Sequence, residues 1–442
     1  MIRAFLMLPL LLAAILASVP GAQAQRMPRV QEVVSPGGIT AWLVENHTNP
    51  VLSLDFQFVG GIRQVPVDKA GLARLTMGLL DEGAGDMDSL AFRSRLENHA
   101  IRLSFGAGRE QVAGSLRTLT QHRDLAAEML RRALTQPRFD PDPVDRVRSQ
   151  LVTSLKRERK DPSSIAFHQL FARLYGDADS PYARRRSGRV ETLAGLTPAD
   201  MRRFVAENLT RDRLIVSAAG DITPEALGRL LDEVFGALPA EGAPIPQATP
   251  MVTADGGVTV VERPVPQSVA AFAQPGLTRD DPDWWPARVA LHILGGSGLT
   301  SRLMTEVRDK RGLAYGIGAS LTTYEDFGLI LGRVATRNDR VAESLEVLRD
   351  QWRRMAEEGP TPEELERALT YITGSFPLRL DSTAGVAGIL TQLQREKLGL
   401  DYLDRRTALI EAVTLADVKR VAAELLAADR LTTVVVGQPE GL

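Results

Sequence analysis

Two stretches of the chain carry the same pattern of polar and hydrophobic positions, one after Thr197 and one after Thr414. At a constant offset of 217 residues, six positions of the first stretch recur in the second: Thr197, Asp200, Glu207, Arg213, Leu214 and Gly220 return as Thr414, Asp417, Glu424, Arg430, Leu431 and Gly437. In each copy the Thr and the Asp three residues later resemble a capping box that opens an amphipathic helix. A β-rich run follows and ends at the glycine. The repeat predicts two homologous domains in tandem.

Hydrophobic periodicity predicts further elements in both halves. Residues 30–45 form two β-rich runs around Pro-Gly-Gly, which indicates a hairpin, and 51–59 indicates another strand. Helices are predicted over 70–80, 124–134 and 285–294, and strands over 258–262 and 269–272. A later helix places Trp352 on a single hydrophobic stripe and therefore in the core. Strands mixed with helices in both halves indicate α+β domains, each a sheet with helices packed on one side.

The ends of the two predicted domains follow from local composition. Four prolines with several Ala and Gly residues make 239–257 typical of an interdomain linker, which separates a domain over 25–238 from one over 258–442. Residues 1–24 combine Arg3, an apolar run and Ala22-Gln23-Ala24, which is the pattern of a cleaved signal peptide. We expect the mature protein to begin at Gln25, to be periplasmic and to carry no membrane anchor.

Charge and cysteine content exclude several classes of function. The 53 Lys and Arg residues are balanced by 55 Asp and Glu residues, so nothing favours nucleic acid as a partner. The chain has no cysteine, which excludes thiol catalysis and cysteine metal sites and suits an oxidising compartment.

Several motifs together resemble one family. Residues 295–303 read GGSGLTSRL and 306–315 read EVRDKRGLAY, which resembles the carboxy-terminal signature of the pitrilysin/insulinase zinc peptidases, the family of the mitochondrial processing peptidase. Gly-Gly-Ile-Arg at 60–63 and Asp-Lys-Ala-Gly-Leu-Ala at 68–73 are similar to the approach to that family's active-site helix. Tyr-Gly-Asp at 175–177, with a Pro-Tyr pair soon after, is similar to a later stretch. The resemblance implies two tandem homologous domains, each a mainly antiparallel sheet with helices on one side.

The same comparison implies that the zinc motif is lost. Catalytic members carry H-x-x-E-H on the helix after this approach, where two histidines four residues apart bind zinc and the glutamate activates water. The corresponding positions here are Arg74, Met77 and Gly78, and the third ligand aligns with Ser154. Arginine stays protonated and glycine offers no ligand. The resemblance therefore implies no metal or cofactor in this chain, with zinc supplied by a partner subunit.

The histidine positions support the same view without any alignment. No two of the five histidines lie within one helical turn of each other: His47, His99, His122, His168 and His292. No single helix can therefore provide a two-histidine zinc site, although ligands from distant segments stay open. Asp81 and Glu82 precede Gly-Ala-Gly and are predicted to form a solvated helix end rather than a metal site.

One part of the family's machinery is retained. In members with a split active site, an arginine and a tyrosine seven residues later hold the substrate, and Arg308 and Tyr315 have that spacing. An arginine donates paired hydrogen bonds to a carbonyl, and a tyrosine hydroxyl can stabilise an oxyanion. The alternative is that Arg308 pairs with a neighbouring carboxylate and Tyr315 packs in a strand.

The function implied is a zinc-free subunit of a periplasmic heterodimeric metallopeptidase, which is not catalytic alone. It would close a chamber over a peptide or unfolded-protein substrate opposite a homologous zinc-bearing partner. The first alternative is a noncatalytic scaffold or peptide-binding protein of the same fold. The second is an independent hydrolase with an unconventional metal site. The sequence leaves open the substrate, the partner's identity and the choice between homodimer and heterodimer.

Overall fold

A computed structural model describes residues 27–246, 254–296 and 298–442. The predicted signal peptide, 1–24, lies outside the described residues, as does part of the predicted linker, 247–253. Among the helices of the described ranges, none combines the length and the apolar character that a membrane crossing requires.

The strands form two mixed sheets, one in each half of the chain. The first sheet has six strands, β1 to β6: Gln31–Val34, Thr40–Glu45, Val51–Val59, Arg102–Ala107, Gln111–Leu119 and Leu214–Gly220. The second has five, β7 to β11: Val258–Glu262, Gln267–Gly276, Ala314–Thr323, Gly328–Arg337 and Thr432–Gly437. The strand orders are β1-β2-β6-β3-β5-β4 and β7-β11-β8-β10-β9. Only the pairs β2–β6 and β7–β11 are parallel within these sheets, so both are mainly antiparallel, as predicted.

Helices follow the strands in both halves. The first half contains α1 to α8: Leu72–Met77, Ser89–Asn98, Arg123–Thr135, Pro141–Glu158, Pro162–Tyr175, Val190–Gly195, Pro198–Asn208 and Pro224–Phe235. The second half contains α9 to α14: Trp284–Gly295, Val341–Glu357, Pro362–Gly374, Thr383–Arg395, Tyr402–Glu411 and Leu415–Leu425. The predicted helix over 70–80 is shorter than expected, because the α-helix ends at Met77 and Gly78 follows in a non-helical conformation.

The sequence repeat corresponds to a structural repeat. Thr197 opens α7 by accepting from the Asp200 N–H at 3.3 Å, and the Asp200 side chain accepts from the Thr197 N–H at 2.9 Å. Thr414 and Asp417 form the same capping box at α14, with distances of 3.1 and 3.0 Å. Each helix leads to the strand that ends at the repeated glycine, β6 and β11. The predicted pair of homologous helix–strand units is confirmed.

Alternate residues of the central strands face two different cores. On β2, Ala41 and Leu43 pack in the core of the first half, whereas Trp42 and Val44 pack against α12 from the second half. On β8, Ala270 and Phe272 pack in the core of the second half. Their neighbours Ala271 and Ala273 pack against α5 from the first half. Each sheet is thus covered on one face by helices of its own half and on the other by one helix of the opposite half.

In this reciprocal exchange, α5 covers the second sheet and α12 covers the first. The two helices also join the halves through specific hydrogen bonds. Gln394 of α12 donates to the Val216 carbonyl at 2.9 Å on β6. Arg173 of α5 donates to Thr259 Oγ1 on β7 at 2.7 Å and to the Gly256 carbonyl at 2.6 Å. Because each half completes the other's core, the sequence boundary at 239–257 does not separate two independently packed bodies.

Two predictions about single residues had different outcomes. Trp352 is fully buried and its indole N–H donates to Gln274 at 2.9 Å, which confirms its place in the core. Glu82, predicted to be solvated, is instead 8 % exposed. It accepts from Ser89 Oγ at 2.5 Å and pairs with Arg146 at 2.5 Å, so those partners draw it inward. Because these arginine and serine partners hold Glu82, its pKa is lowered although burial alone would raise it.

Candidate functional site

The three positions of the lost motif lie on and just after α1, which packs against α4. Met77 is fully buried in the core of the first half, and Arg74 is half-buried. A Cβ at Gly78 would lie 3.4 Å from Val147 Cγ1 of α4. Two of the three motif positions thus offer only a buried thioether and a glycine without a side chain.

A hydrogen-bonded cluster occupies the polar side of this region. Arg74 Nη1 donates to Ser187 Oγ at 2.8 Å, and that hydroxyl donates to Glu158 Oε1 at 3.4 Å. Glu158 also accepts from Ser154 Oγ at 3.3 Å and from Arg185 at 3.4 Å. The four lost-motif positions therefore contribute a guanidinium and a hydroxyl that are both committed to other protein groups. These residues do not fit a zinc ion.

The remaining metal-binding residue types do not provide an alternative site. Within the described ranges, no three His, Cys, Asp or Glu side chains converge in a way that could hold a metal ion. The structure does bring two sequence-distant histidines together, because the rings of His99 and His122 meet edge to face at 5.0 Å. His99 Nδ1 donates to the Arg95 carbonyl at 2.9 Å, and His122 contacts Gln121, so neutral partners surround this pair.

Arg308 lies on a short π-helical turn, Met304–Asp309, directly before β9. The backbone after it is fixed, since the Gly312 N–H donates to the Arg308 carbonyl at 2.9 Å and the Leu313 N–H to the Val307 carbonyl at 2.8 Å. The nearest carboxylate is Asp309, at 4.0 Å, which is the limit of an ion pair. The backbone at Arg308 is therefore fixed, and no carboxylate of the described residues lies closer than 4.0 Å to its guanidinium.

Tyr315 is the second residue of β9 and is 87 % exposed. The guanidinium carbon of Arg308 lies 4.9 Å from the centre of its ring, within the range of a cation–π contact. The structure thus brings the two predicted residues together, with Tyr315 exposed on β9 and Arg308 at the ion-pair limit from Asp309. The neighbouring cationic side chains have a different partner, because Lys310 and Arg311 both bind Glu306.

Both side chains line an open groove of about 1280 Å³. Its wall includes the glycine-rich segment before the π-helical turn, the exposed Leu299, strand β9 and Arg333. Phe167 also lines it, although it belongs to α5 of the first half. The sequence did not indicate either residue. Phe167 reaches the groove because α5 crosses onto the second sheet, and Arg333 reaches it from β10, which pairs with β9.

The groove runs along the edge of the second sheet. β9 pairs with β10 on one side and is the last strand in the sheet order. An edge strand offers backbone N–H and carbonyl groups to an extended peptide, and pockets beside it select side chains. The site therefore has an arginine, an exposed tyrosine and a strand edge that no described strand pairs with in one place.

The turn at the other end of β9 docks into the first half. The Glu325 N–H donates to both carboxylate oxygens of Glu110, at 3.1 and 3.2 Å, and the Tyr182 hydroxyl donates to the same carboxylate at 2.8 Å. Arg63 Nη1 is 2.8 Å from Glu325. Burial raises the pKa of Glu110 above its ordinary value, and these donors oppose that rise. We call Arg63, Glu110, Tyr182 and Glu325 the interdomain latch.

Comparison with known proteins places this geometry in a family. The family described as "Peptidase M16 inactive domain" matches residues 195–372 of this chain. The chain is 30% identical to an uncharacterized zinc protease of Streptomyces coelicolor over 358 residues, covering 79% of this chain and 76% of the relative. It is 25% identical to the non-peptidase homolog YmxG of Helicobacter pylori over 336 residues, covering 76% and 77% of the two chains.

Two further similarities extend over more of the chain. Identity to the mitochondrial-processing peptidase subunit beta of Blastocladiella emersonii is 26% over 439 residues, covering 96% of this chain and 92% of the relative. A crystal structure described as the peptidase M16 inactive domain from Pseudomonas fluorescens superposes with a TM-score of 0.85 at 28% identity, covering 93% of this chain and 98% of that chain. The chain belongs to the M16 peptidases, the pitrilysin/insulinase family, as a member without the residues of the zinc motif.

Proposed function

We propose that this chain is the zinc-free subunit of a periplasmic heterodimeric metallopeptidase and that a homologous chain with a complete H-x-x-E-H motif is its partner. The observation that carries the proposal is the Arg308–Tyr315 pair, exposed in a groove beside an edge strand, in a chain whose motif positions hold no ligand set. The zinc protease and processing-peptidase names of its relatives support an association with peptide-bond hydrolysis.

The residues of this chain have distinct parts in the proposed function. The edge of β9 binds an extended peptide or an unfolded segment through backbone hydrogen bonds. Arg308 donates paired hydrogen bonds to a peptide carbonyl. The Tyr315 hydroxyl donates to the carbonyl oxygen as negative charge develops on it. The partner subunit holds the zinc ion and supplies the attacking water.

Turnover and assembly measured on the same complexes test this function. Co-expression with the zinc-bearing homologue should give a stable complex that cleaves peptides, whereas this chain alone should not. Arg308→Ala or Tyr315→Phe should lower turnover by about 10- to 1000-fold, the range for losing one oriented donor. Complex formation should be unchanged, because both side chains lie in an open groove.

Arg311→Ala is the matched control. Arg311 lies on the same segment, and its guanidinium binds Glu306 rather than lining the groove. Arg302→Ala is a structural comparison, because Arg302 binds Glu364 at 2.6 Å and the Gly359 carbonyl at 2.8 Å and its loss should weaken folding. Unimpaired turnover in an assembled Arg308→Ala complex would remove the catalytic role.

The second candidate is a noncatalytic scaffold or peptide-binding protein. The similarity to a non-peptidase homolog favours it. On this alternative, the purified chain binds extended peptides at β9 without hydrolysis, and the Arg308→Ala variant weakens peptide binding. A stable partner that itself lacks the H-x-x-E-H motif would establish the scaffold and exclude the peptidase complex.

A further inference from the structure

A second cavity, of about 410 Å³, lies between the two halves, apart from the groove of Arg308 and Tyr315. It is bounded by α5, by the loop that follows α5, by the segment before α1 and by the end of β7. The charged side chains of its lining are Arg159, Arg184, Arg185, Arg189, Arg263 and Asp179. The volume is in the range of sites for small molecules.

Positive charge exceeds negative charge around this cavity. Asp179 pairs with Arg189, and Glu158, which adjoins the cavity, pairs with Arg185 at 3.4 Å. The five lining arginines therefore outnumber these two carboxylates by three. Clefts lined by one sign of charge focus the electrostatic potential and concentrate counter-ions.

Three of the arginines differ in the hydrogen bonds and ion pairs that they already make. Arg184 is buried and donates to the carbonyls of Ile62 and Val65, so it supports the wall. Arg263 donates one hydrogen bond, to the Glu262 carbonyl, and no carboxylate of the described chain pairs with it. Arg159 makes no side-chain hydrogen bond or ion pair to any described residue, so its guanidinium and that of Arg263 have donors to spare.

His168 of α5 also lines the cavity, and its ring has no hydrogen-bond partner among the residues the structure describes. Burial lowers the pKa of His168, and Arg185, Arg109 and Arg189 lower it further, so the imidazole is neutral at pH 7. A neutral imidazole keeps one N–H donor. A half-buried donor therefore faces the same space as the unpaired guanidinium groups.

We propose that this cavity binds a small oxyanion with at least two negative charges, of the phosphate or polycarboxylate type, through Arg159, Arg189, Arg263 and His168. Arginine is suited to such a ligand because its planar fork matches two oxygens of a phosphate or carboxylate. Arg263 comes from the second half and the other residues from the first, so the anion bridges the halves. This site does not depend on the proposed peptidase function.

Isothermal titration of the mature chain with sodium pyrophosphate, at constant ionic strength, tests the site. The expected result is saturable binding of one anion per chain, weakened at least tenfold by Arg189→Gln or Arg263→Gln. Both side chains have exposed head groups, so folding should be retained, which thermal unfolding checks. Arg353→Gln is the matched control, because Arg353 is 54 % exposed and pairs with Asp350, as Arg189 is 48 % exposed and pairs with Asp179.

Nuclear magnetic resonance of the histidine side chains adds a local readout. Pyrophosphate should shift the imidazole signals that are missing in His168→Gln, while the signals of the other four histidines stay in place. Hexaglutamate as a competitor identifies the natural source of the oxyanion. Displacement of pyrophosphate by hexaglutamate, but not by hexaserine, assigns the site to acidic peptide side chains, and no displacement assigns it to a free small anion. Absence of saturable binding to the wild type, or equal weakening by Arg353→Gln, would overturn the proposal.

Discussion

Met77→Glu, the central change in restoring the family's motif, should destabilise this chain rather than prepare it for zinc. The Met77 side chain is fully buried among the hydrophobic residues of the first half. The glutamate of an active zinc motif has to contact water, whereas the side chain at this position of the chain is packed in the core. Replacing the thioether with a carboxyl group places an ionisable group where no solvent reaches it.

The magnitude follows from two contributions. Burial of a methionine side chain stabilises a protein by about 1.5–3 kcal/mol, which the substitution loses in large part. A carboxyl group that stays neutral in the fold at pH 7, with an unfolded pKa of about 4.3, costs about 3.5–4 kcal/mol more. The sum, about 5–7 kcal/mol, is comparable to the whole unfolding free energy of many domains.

Urea unfolding at two pH values measures both contributions. The pKa of the introduced carboxyl group is raised in the folded state, so the charge penalty is absent below the unfolded pKa of about 4.3 and grows as pH rises above it. The variant should therefore be closer to wild type at pH 4.5 than at pH 7. Met77→Leu, which keeps the volume, should cost less than about 1.5 kcal/mol at either pH.

The triple variant Arg74→His, Met77→Glu, Gly78→His extends the test to zinc. It should hold no stoichiometric metal, because Ser154 provides no third ligand and its hydroxyl is bound to Glu158. Metal analysis after dialysis measures this. The reasoning is refuted if Met77→Glu is as stable as Met77→Leu, or if the triple variant retains about one zinc per chain.

Three further predictions concern other parts of the chain. Tyr182→Phe removes the hydroxyl that donates to the buried Glu110 and should lower the unfolding free energy by about 1.5–3 kcal/mol, measured by chemical denaturation. His47, whose pKa is raised chiefly by its hydrogen bond to Asp221, stabilises the fold fully below its unfolded pKa of about 6.5, and this is lost as pH rises through the higher folded pKa. The melting temperature of His47→Ala should therefore differ more from wild type at pH 5.5 than at pH 9. Amino-terminal sequencing of exported protein should give Gln25 as the first residue, and a full-length, membrane-extracted product would contradict the signal-peptide prediction.

The parts of the fold that the sequence predicted are those set by local rules. The capping residues Thr197 and Thr414 directly precede, in the sequence, the helices that they cap. The position of Trp352 follows from helical periodicity alone. The same rules could not predict that α5 and α12 cross to the opposite sheet, because periodicity indicates that a helix has a buried face and not which sheet covers it.

The candidate site divides in the same way. Arg308 and Tyr315 are close in the sequence and share one turn and strand, so a motif could identify them. The cluster of Arg74, Ser187 and Glu158 joins three distant segments, and no local pattern indicates it. The glycines after Glu82 resemble a helix end and predict a solvated side chain, whereas its hydrogen-bond and ion-pair partners, Ser89 and Arg146, lie on two other helices.

The geometry of the Arg308–Tyr315 site depends on anchors at both ends of β9. At the beginning of the strand, the Leu313 N–H is bound to Val307 and the Leu313 carbonyl accepts from Thr336 Oγ1, so the two site residues are fixed by contacts within the second half. At the other end, the interdomain latch fixes the turn to the first half. The first anchor therefore fixes the backbone beside Arg308 and Tyr315, and the second holds the far end of β9 against the first half. The exchange of α5 and α12 also joins the two halves through shared cores, and under the proposed function this arrangement would hold the edge of β9 toward the zinc-bearing partner.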